Sequence, residues 1–358
     1  MDEMTRSDSI IDRGTKTNDE LIERRPPQSR QPPRPAQGPP DEAAADDGRG
    51  RSAKKPSDIP ARGWKDILLR VYRGISDDRI LAKAAAVTFY ALLALFPAIA
   101  ALVSIYGLFA DPASIQQRLS SVSGVLPGGA VDVIRDQLNR LTAQPRATLG
   151  ISFLIGLVIS LWSANGGIKA MFDALNVVYE EREDRSFITL NTITLAFTVA
   201  MIAFVVVAMA CIVALPVALD YLPGFIGLVL NVVRWPAMLA LVALALAFIY
   251  RYGPSRNEPK WRWLTWGSAF AGLAWLGFSA IFAFYAANFG TFNKTYGSLG
   301  AVIGFMTWMW LSVAVILIGG KLNAEMEHQT ARDSTEGAPK PMGARRAKMA
   351  DTVGPAQS

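Results

Sequence analysis

This chain of 358 residues carries one histidine, His328, and one cysteine, Cys211. With so few soft ligands no multi-histidine metal centre and no tetrahedral zinc site can be built from one chain, and an intrachain disulfide is excluded. His328 is placed in a polar tail beyond the last apolar stretch, so histidine catalysis is set aside, and Cys211 reads as a small apolar core residue. No glycine-rich phosphate loop follows a strand pattern. The N-terminal MDEMTRSDSIIDRGTKTNDE has neither an apolar core nor a small-residue cleavage site, so it does not read as a signal peptide. Asp and Glu are nearly absent from the apolar stretches, which leaves carboxylate-only metal or acid chemistry as the one formal route to an enzyme. The expectation is a protein that is not an enzyme and holds no cofactor and no metal.

What the chain has instead is apolar length. Six stretches, centred near Leu95, Ile155, Val206, Ala243, Phe278 and Val313, are each long enough to cross a hydrocarbon core of ~30 Å. Lipid offers no water to backbone groups, so the spans must be helices. The fold class is therefore all-α: a polytopic membrane protein with six transmembrane helices, interfacial amphipathic helices and both termini cytoplasmic. Lysine and arginine set that orientation, because short loops rich in them stay inside. They cluster at Arg62 to Lys83, at Lys169 to Arg185, at Arg251 to Arg262 and from Lys321 onward, and they thin out between Asp220 and Arg234 and between Asn288 and Ser298. Residues 111–146 depart from the pattern, since parity puts them outside although they hold four arginines. The net charge of +6 thus sits at membrane edges, where it favours anionic lipid headgroups rather than nucleic acid.

Three regions follow. Residues 1–60, with RRPPQSRQPPRPAQGPP, lack the apolar content to fold and read as a disordered cytoplasmic tail, whose PPRP segment is either a polyproline ligand or plain solvated chain. Residues 61–328 form the membrane domain, and 329–358 a second disordered cytoplasmic tail. Within the domain, Trp64, Ile67, Leu68, Val71 and Ile75 recur at helical spacing and predict an interfacial helix. The first span, about residues 84–110, holds Pro97 near its middle and should kink there. Two amphipathic patterns flank Pro127-Gly128-Gly129. The second span, about 148–164, runs into Asn165-Gly166-Gly167, read either as a helix end or as a break in a discontinuous helix. A stripe of Ile168, Met171, Phe172, Leu175 and Tyr179 follows, bearing a Lys169–Asp173 pair. Later spans are expected near 187–215, 235–250, 264–287 and 299–319.

Candidate ligand-contacting residues are few. Hydroxyls such as Thr88, Ser268 and Ser279 either line a hydrophilic path or bond to neighbouring helices and backbone carbonyls. The triplet Gly267, Gly272 and Gly277 reads as close helix packing. Asn165, Gly166 and Gly167 would expose backbone groups to a ligand if the helix opens there, as in transporters with broken spans. Asn288, Asn293, Lys294 and Tyr296 gather at the outer mouth, where a lone cation among polar groups attracts an anion. With Pro97 they make up the candidate solute or lipid path. Lys321 and Glu325 read as a helical pair.

Four segments in order carry a resemblance: AAAVTFYALLALFPAIAAL, SANGGIKAMFDALNVVYE, FIYRYGP and ANFGTFNKTYGSLGAVIGFMTWMWLSVAVILIGGKLNAEME. Over about residues 61–328 the chain resembles the YihY/BrkB family of bacterial inner-membrane proteins, once labelled ribonuclease BN-like. The resemblance implies six helices, a plasma-membrane location and a link to virulence. The leading expectation is binding or transport of a small solute or lipid, with membrane lipids as partners, a small-molecule substrate, and a homo-oligomer left open. The alternative is a non-transporting scaffold for envelope integrity or partner binding, and a membrane nuclease comes third.

Overall fold

The computed structural model describes residues 48–109, 146–219, 224–289 and 299–357, all within one compact unit, Ala45–Ser358. Those residues are helical apart from turns and one isolated antiparallel bridge between Pro259 and Thr335. After a single 3-10 turn, Pro56–Asp58, come α1 (Ala61–Asp77), α2 (Ile80–Phe109), α3 (Arg146–Val178), α4 (Phe187–Leu219), α5 (Gly224–Tyr252), α6 (Trp261–Phe289), α7 (Leu299–Gln329) and the short α8 (Lys348–Asp351).

Among the described residues five stretches are long and apolar enough to cross a membrane: Leu154–Val178, Phe187–Phe204, Trp235–Tyr252, Trp261–Tyr285 and Val302–Gln329. The first expected span is α2, whose described side chains supply a shorter apolar stretch, Ile80–Ala94. The spans expected from sequence appear as helices with longer ends. Helix α7 runs ten residues past Gly319, and α5 begins upstream of its proline, Pro236, which sits inside the helix.

The second span departs from expectation. Asn165-Gly166-Gly167 neither ends nor breaks the helix, because α3 continues through all three to Val178. A Cβ on Gly166 would stand 3.3 Å from the Tyr90 ring, and one on Gly167 would stand 3.7 Å from the Ala91 nitrogen. The two glycines therefore let α2 and α3 pack closely, and that seam is the most extensive helix pair. The Gly triplet of α6 behaves unevenly. Gly267 packs against Asn323 and Gly319, Gly272 faces Leu239, and Gly277 meets nothing.

Six helix ends converge on one charged layer. The beginnings of α2, α4 and α6 and the ends of α3, α5 and α7 meet there, joined by Lys83 to Asp173 at 2.6 Å, Ser255 N–H to Asn176 at 2.7 Å and Arg256 to Glu327 at 2.9 Å. Beneath it lies the main core of Ile80, Val87, Leu175, Tyr179, Tyr250, Leu264 and Leu317, each worth about 1.5–3 kcal/mol when fully buried. Farther along, the helices show bare apolar faces, and only 11% of Phe187–Phe204 is buried.

Helix α1 packs against the end of α7. Its buried face holds Asp66, Ile67, Arg70 and Val71, while Leu68 and Tyr72 point outward, 56% and 74% exposed. Of the expected stripe, Ile67 and Val71 are buried and Trp64 and Ile75 pack against the core, so only Leu68 departs from it, and Asp66 and Arg70 join the buried face because they have buried partners. The two segments expected as disordered are also packed where described. The Arg51 and Ala53 carbonyls accept from Thr330, the Arg49 carbonyl accepts from Gln329 at 2.9 Å, and the Gln357 N–H donates to Asp66 at 2.9 Å. Residues 48–60 and 330–357 reach this order by borrowing backbone partners from α1 and α7, which composition alone does not show.

Candidate functional site: a charged layer and its cleft

The last turns of α7 are buried on every side, with Lys321, Asn323, Glu325, Glu327 and Gln329 all enclosed. Helix α1 and its end meet Lys321, Glu325 and Gln329, α6 meets the Asn323 oxygen, and the loop after α5 meets Glu327. Lys321 Nζ lies 2.9 Å from Asp78 and 3.4 Å from Glu325, so the expected helical pair is present and widened by a third member. Arg70 Nε reaches Glu325 at 2.5 Å, and its terminal nitrogens donate to Gln329 Oε1 at 2.7 Å and to the Pro355 carbonyl at 3.2 Å. Arg256 forks onto Glu327 at 2.9 and 3.0 Å and lies over the Tyr179 ring, 4.1 Å from its centroid. Asn323 accepts the Gly267 N–H at 2.9 Å. His328 is part of α7 and faces Glu325 at 3.6 Å, not a free tail. Charges buried this way must be paired to be tolerated, and here they are. The layer clamps α1, α6, α7 and both packed segments together.

The loop after α3 opens this layer on one side. Glu180, at φ 55°, takes the left-handed position of a helix C-cap, and the Glu180 and Glu181 N–H groups close back on the Val177 and Asn176 carbonyls at 3.0 and 2.7 Å. That turn sends Glu181, Glu183, Asp184 and Arg185 toward α5. Between them lies a cleft of about 620 Å³, lined by four arginines (Arg185, Arg251, Arg256, Arg346), three carboxylates (Glu181, Asp184, Glu258) and an apolar wall of Ile193 and Phe197 on α4. Ile193 and Phe197 stand one helical turn apart, about 6 Å along the axis, so the cleft climbs from the charged layer onto the apolar face of α4.

Acidities reflect the surroundings. Burial raises the Glu181 carboxyl, although the Lys348 N–H bonds to it, and burial likewise raises Asp78 against the pull of Lys321. At Glu183 burial is outweighed by hydrogen bonds from Arg185 and Asn176, which hold it below the usual range. Tyr179, fully enclosed, is pushed well above an ordinary phenol.

The predicted path residues are not gathered here. Asn165 is buried on α3, and its Oδ1 has no hydrogen-bond partner. Asn293, Lys294 and Tyr296 lie outside the described residues, as do the side chains of Pro97 and Asn288. The Lys169–Asp173 pair does not form, because Lys169 donates to Asn191 at 2.5 Å and Asp173 pairs with Lys83. Of the span hydroxyls, Thr88, Thr198, Ser268, Thr307 and Ser312 donate to carbonyls four residues earlier in their own helices, and Ser279 accepts from Trp308 at 3.2 Å. They are satisfied without a path. Sequence reading passed over Arg70, Asp78, Arg256, Glu327 and Arg346. The available signal was KLNAEMEHQ, where polar and apolar residues alternate without helical periodicity right after an apolar run, the mark of a helix end enclosed on all sides.

Among the described residues no group of three or more His, Cys, Asp or Glu is placed to hold a metal. No solved structure matches the chain. Curated relatives do. The chain is 29% identical to YfkH of Bacillus subtilis strain 168, named as a ribonuclease-like protein, over 68% of this chain and 88% of that one. It is 23% identical to the UPF0761 membrane protein PSHAa0171 of Pseudoalteromonas translucida, over 73% and 85%, and 22% identical to the UPF0761 membrane protein Mpe_A1422 of Methylibium petroleiphilum, over 73% and 62%. The family model described as virulence factor BrkB matches residues 71–343, most of the packed unit, and this chain belongs to that family of membrane proteins.

Proposed function

We propose that this protein binds a membrane lipid and moves it along the faces between its helices, and that it does so without enzymatic chemistry. The observation that carries the reading is the cleft, where an arginine-bearing rim meets the apolar wall of Ile193 and Phe197. Such a boundary suits a molecule with a charged head and an acyl tail. A water-soluble solute fits less well, because the span hydroxyls are spent on their own helices and leave bare apolar surface. The unpartnered Oδ1 of Asn165 is a polar stop along the route, and Asn288, Asn293 and Lys294, expected from sequence at the outer mouth, would serve its other end.

The topology that goes with this reading has six spans in a bacterial inner membrane and both termini in the cytoplasm. Its support is that six antiparallel helix ends share one layer with the packed residues 48–60 and 330–357, and that this layer holds the loops rich in lysine and arginine. The test is lipid movement in proteoliposomes: fluorescent phospholipid in one leaflet should exchange faster with the protein than in empty vesicles. Exchange equal to empty vesicles, with no lipid kept by the purified protein, would overturn the reading. A scaffold role is favoured by one separate observation, the knitting of residues 48–60 and 330–357 into the layer. It would show as partner recovery that depends on residues 1–60 with no lipid movement.

A further inference from the structure

We infer that the cleft recognises a zwitterionic phospholipid headgroup, one that carries a phosphate and an ammonium in the same molecule. The inference rests on the lipid reading above and names the lipid class. It follows from which charges in the cleft are already neutralised. Arg185 is paired with Glu183 at 2.6 Å, Arg251 with Glu258 at 2.7 Å, and Arg256 with Glu327 at 2.9 Å. Arg346 makes no ion pair, and neither does Asp184. Glu181 accepts only the Lys348 backbone N–H at 2.6 Å. One lining cation, Arg346, and one lining carboxylate, Asp184, therefore stand without ion partners around the same space, and Glu181 beside them feels the charge of Arg256 without forming a contact ion pair.

An anionic headgroup would satisfy Arg346 and meet repulsion from Glu181 and Asp184. A simple cation would do the reverse. A phosphate with an ammonium two carbons away answers both, and the 620 Å³ of the cleft lies within the ~300–1,000 Å³ of ordinary small-molecule sites. The mounting is firm on each side. The Arg346 carbonyl accepts the Asn257 N–H at 3.0 Å, the Arg345 carbonyl accepts Asn257 Nδ2 at 2.6 Å, and the Asp184 N–H donates to Ser255 Oγ at 3.2 Å. Both chain segments are thus held by backbone bonds while the Arg346 and Asp184 side chains stay exposed. The C-terminal segment supplies the phosphate-binding group, and the loop after α3 supplies the ammonium-binding ones. Ile193 and Phe197 then receive the start of the acyl chains, which a soluble headgroup lacks.

The experiment places the full chain in nanodiscs of equal parts phosphatidylethanolamine, phosphatidylglycerol and phosphatidylcholine, then extracts it and counts retained lipid by native mass spectrometry. The wild type should retain the two zwitterionic lipids over phosphatidylglycerol by about fivefold, the ratio one well-placed ion pair supplies. Asp184→Asn with Glu181→Gln should bring that ratio to about one, and Arg346→Gln should lower retention of all three lipids. Melting temperatures should not move for Asp184→Asn or Arg346→Gln, whose side chains have no hydrogen bond or ion pair to lose. Lipid retained with no headgroup preference, or a preference for phosphatidylglycerol, would overturn this inference and leave the lipid reading standing. No retained lipid at all would overturn both. Binding of free phosphoethanolamine without retained phospholipid would also overturn it, by showing a soluble ligand.

Discussion

Arg256 and Glu327 form a two-pronged ion pair, 2.9 and 3.0 Å, in which neither side chain has any solvent exposure. The pair ties the loop after α5 to the last turn of α7, and Ser334 adds a third bond to Glu327 at 2.9 Å. Removing one member strands the other in a space that cannot solvate it. Arg256→Ala or Glu327→Ala should each cost about 3–5 kcal/mol of stability, measured by unfolding in a mild detergent. Arg256→Lys should recover little, because an ammonium cannot reproduce the fork. The joint change Arg256→Met with Glu327→Leu should sit well above either single alanine variant.

Gly267 and Gly277 lie on one helix ten residues apart and should answer alanine in opposite ways. A Cβ at position 267 would run into Asn323 and the Gly319 carbonyl, and α7 backbone cannot step aside without losing the Asn323 bond. Gly267→Ala should lower stability by about 1–3 kcal/mol. At position 277 nothing stands within reach, so Gly277→Ala should be neutral or gain about 0.5–1 kcal/mol from helix propensity. Thermal melts of the two variants side by side check the contrast.

Hydropathy makes the helices legible, because a span must satisfy its own backbone and announces itself by apolar length. It does not show how a helix ends inside protein. KLNAEMEHQ shows a charged helix end after an apolar run but not what buries it, because its partners Arg70, Asp78 and Arg256 lie 71 to 255 residues upstream of the residues they meet. For the same reason Arg346 was invisible: its place in the cleft depends on Asn257 holding the carbonyls of residues 345 and 346. Asn165-Gly166-Gly167 misled in the other direction. Glycine frees the backbone in isolation, but here the Tyr90 ring occupies the space and turns the pair into a packing seam.

Two carboxylates hold the packed segments and set a pH dependence. Asp66 is opposed by burial but receives Arg49 at 2.6 Å and the Gln357 N–H at 2.9 Å, which hold its acidity below the ordinary range. Asp333 is held down likewise, burial being outweighed by the N–H groups of Lys340 and Thr335. A lowered folded value means that the stabilisation is present above the unfolded pKa, about 3.9, and is lost as pH falls through the folded one. Hydrogen exchange at residues 48–60 and 353–357 should therefore stay slow from neutral pH to about 4 and accelerate below it, after correction for intrinsic rates. Asp66→Asn should show fast exchange in both segments already at neutral pH.

Asn165 separates stability from function. Its side chain is buried on α3, and its Oδ1 carries the desolvation cost of a polar atom without the return of a hydrogen bond. A residue kept for packing alone would be better as leucine. Asn165→Leu should leave the melting temperature unchanged or raise it, since the unpaired oxygen disappears while the branched side-chain skeleton is kept. If Asn165 serves the lipid route, the same variant should lower lipid exchange in proteoliposomes several-fold while headgroup retention at the cleft stays at the wild-type ratio. Gly166→Leu provides the contrast: by driving α3 off the Tyr90 ring it should lower both the melting temperature and the exchange rate. A stable Asn165→Leu protein with wild-type exchange would remove Asn165 from the route and leave the cleft to carry the function.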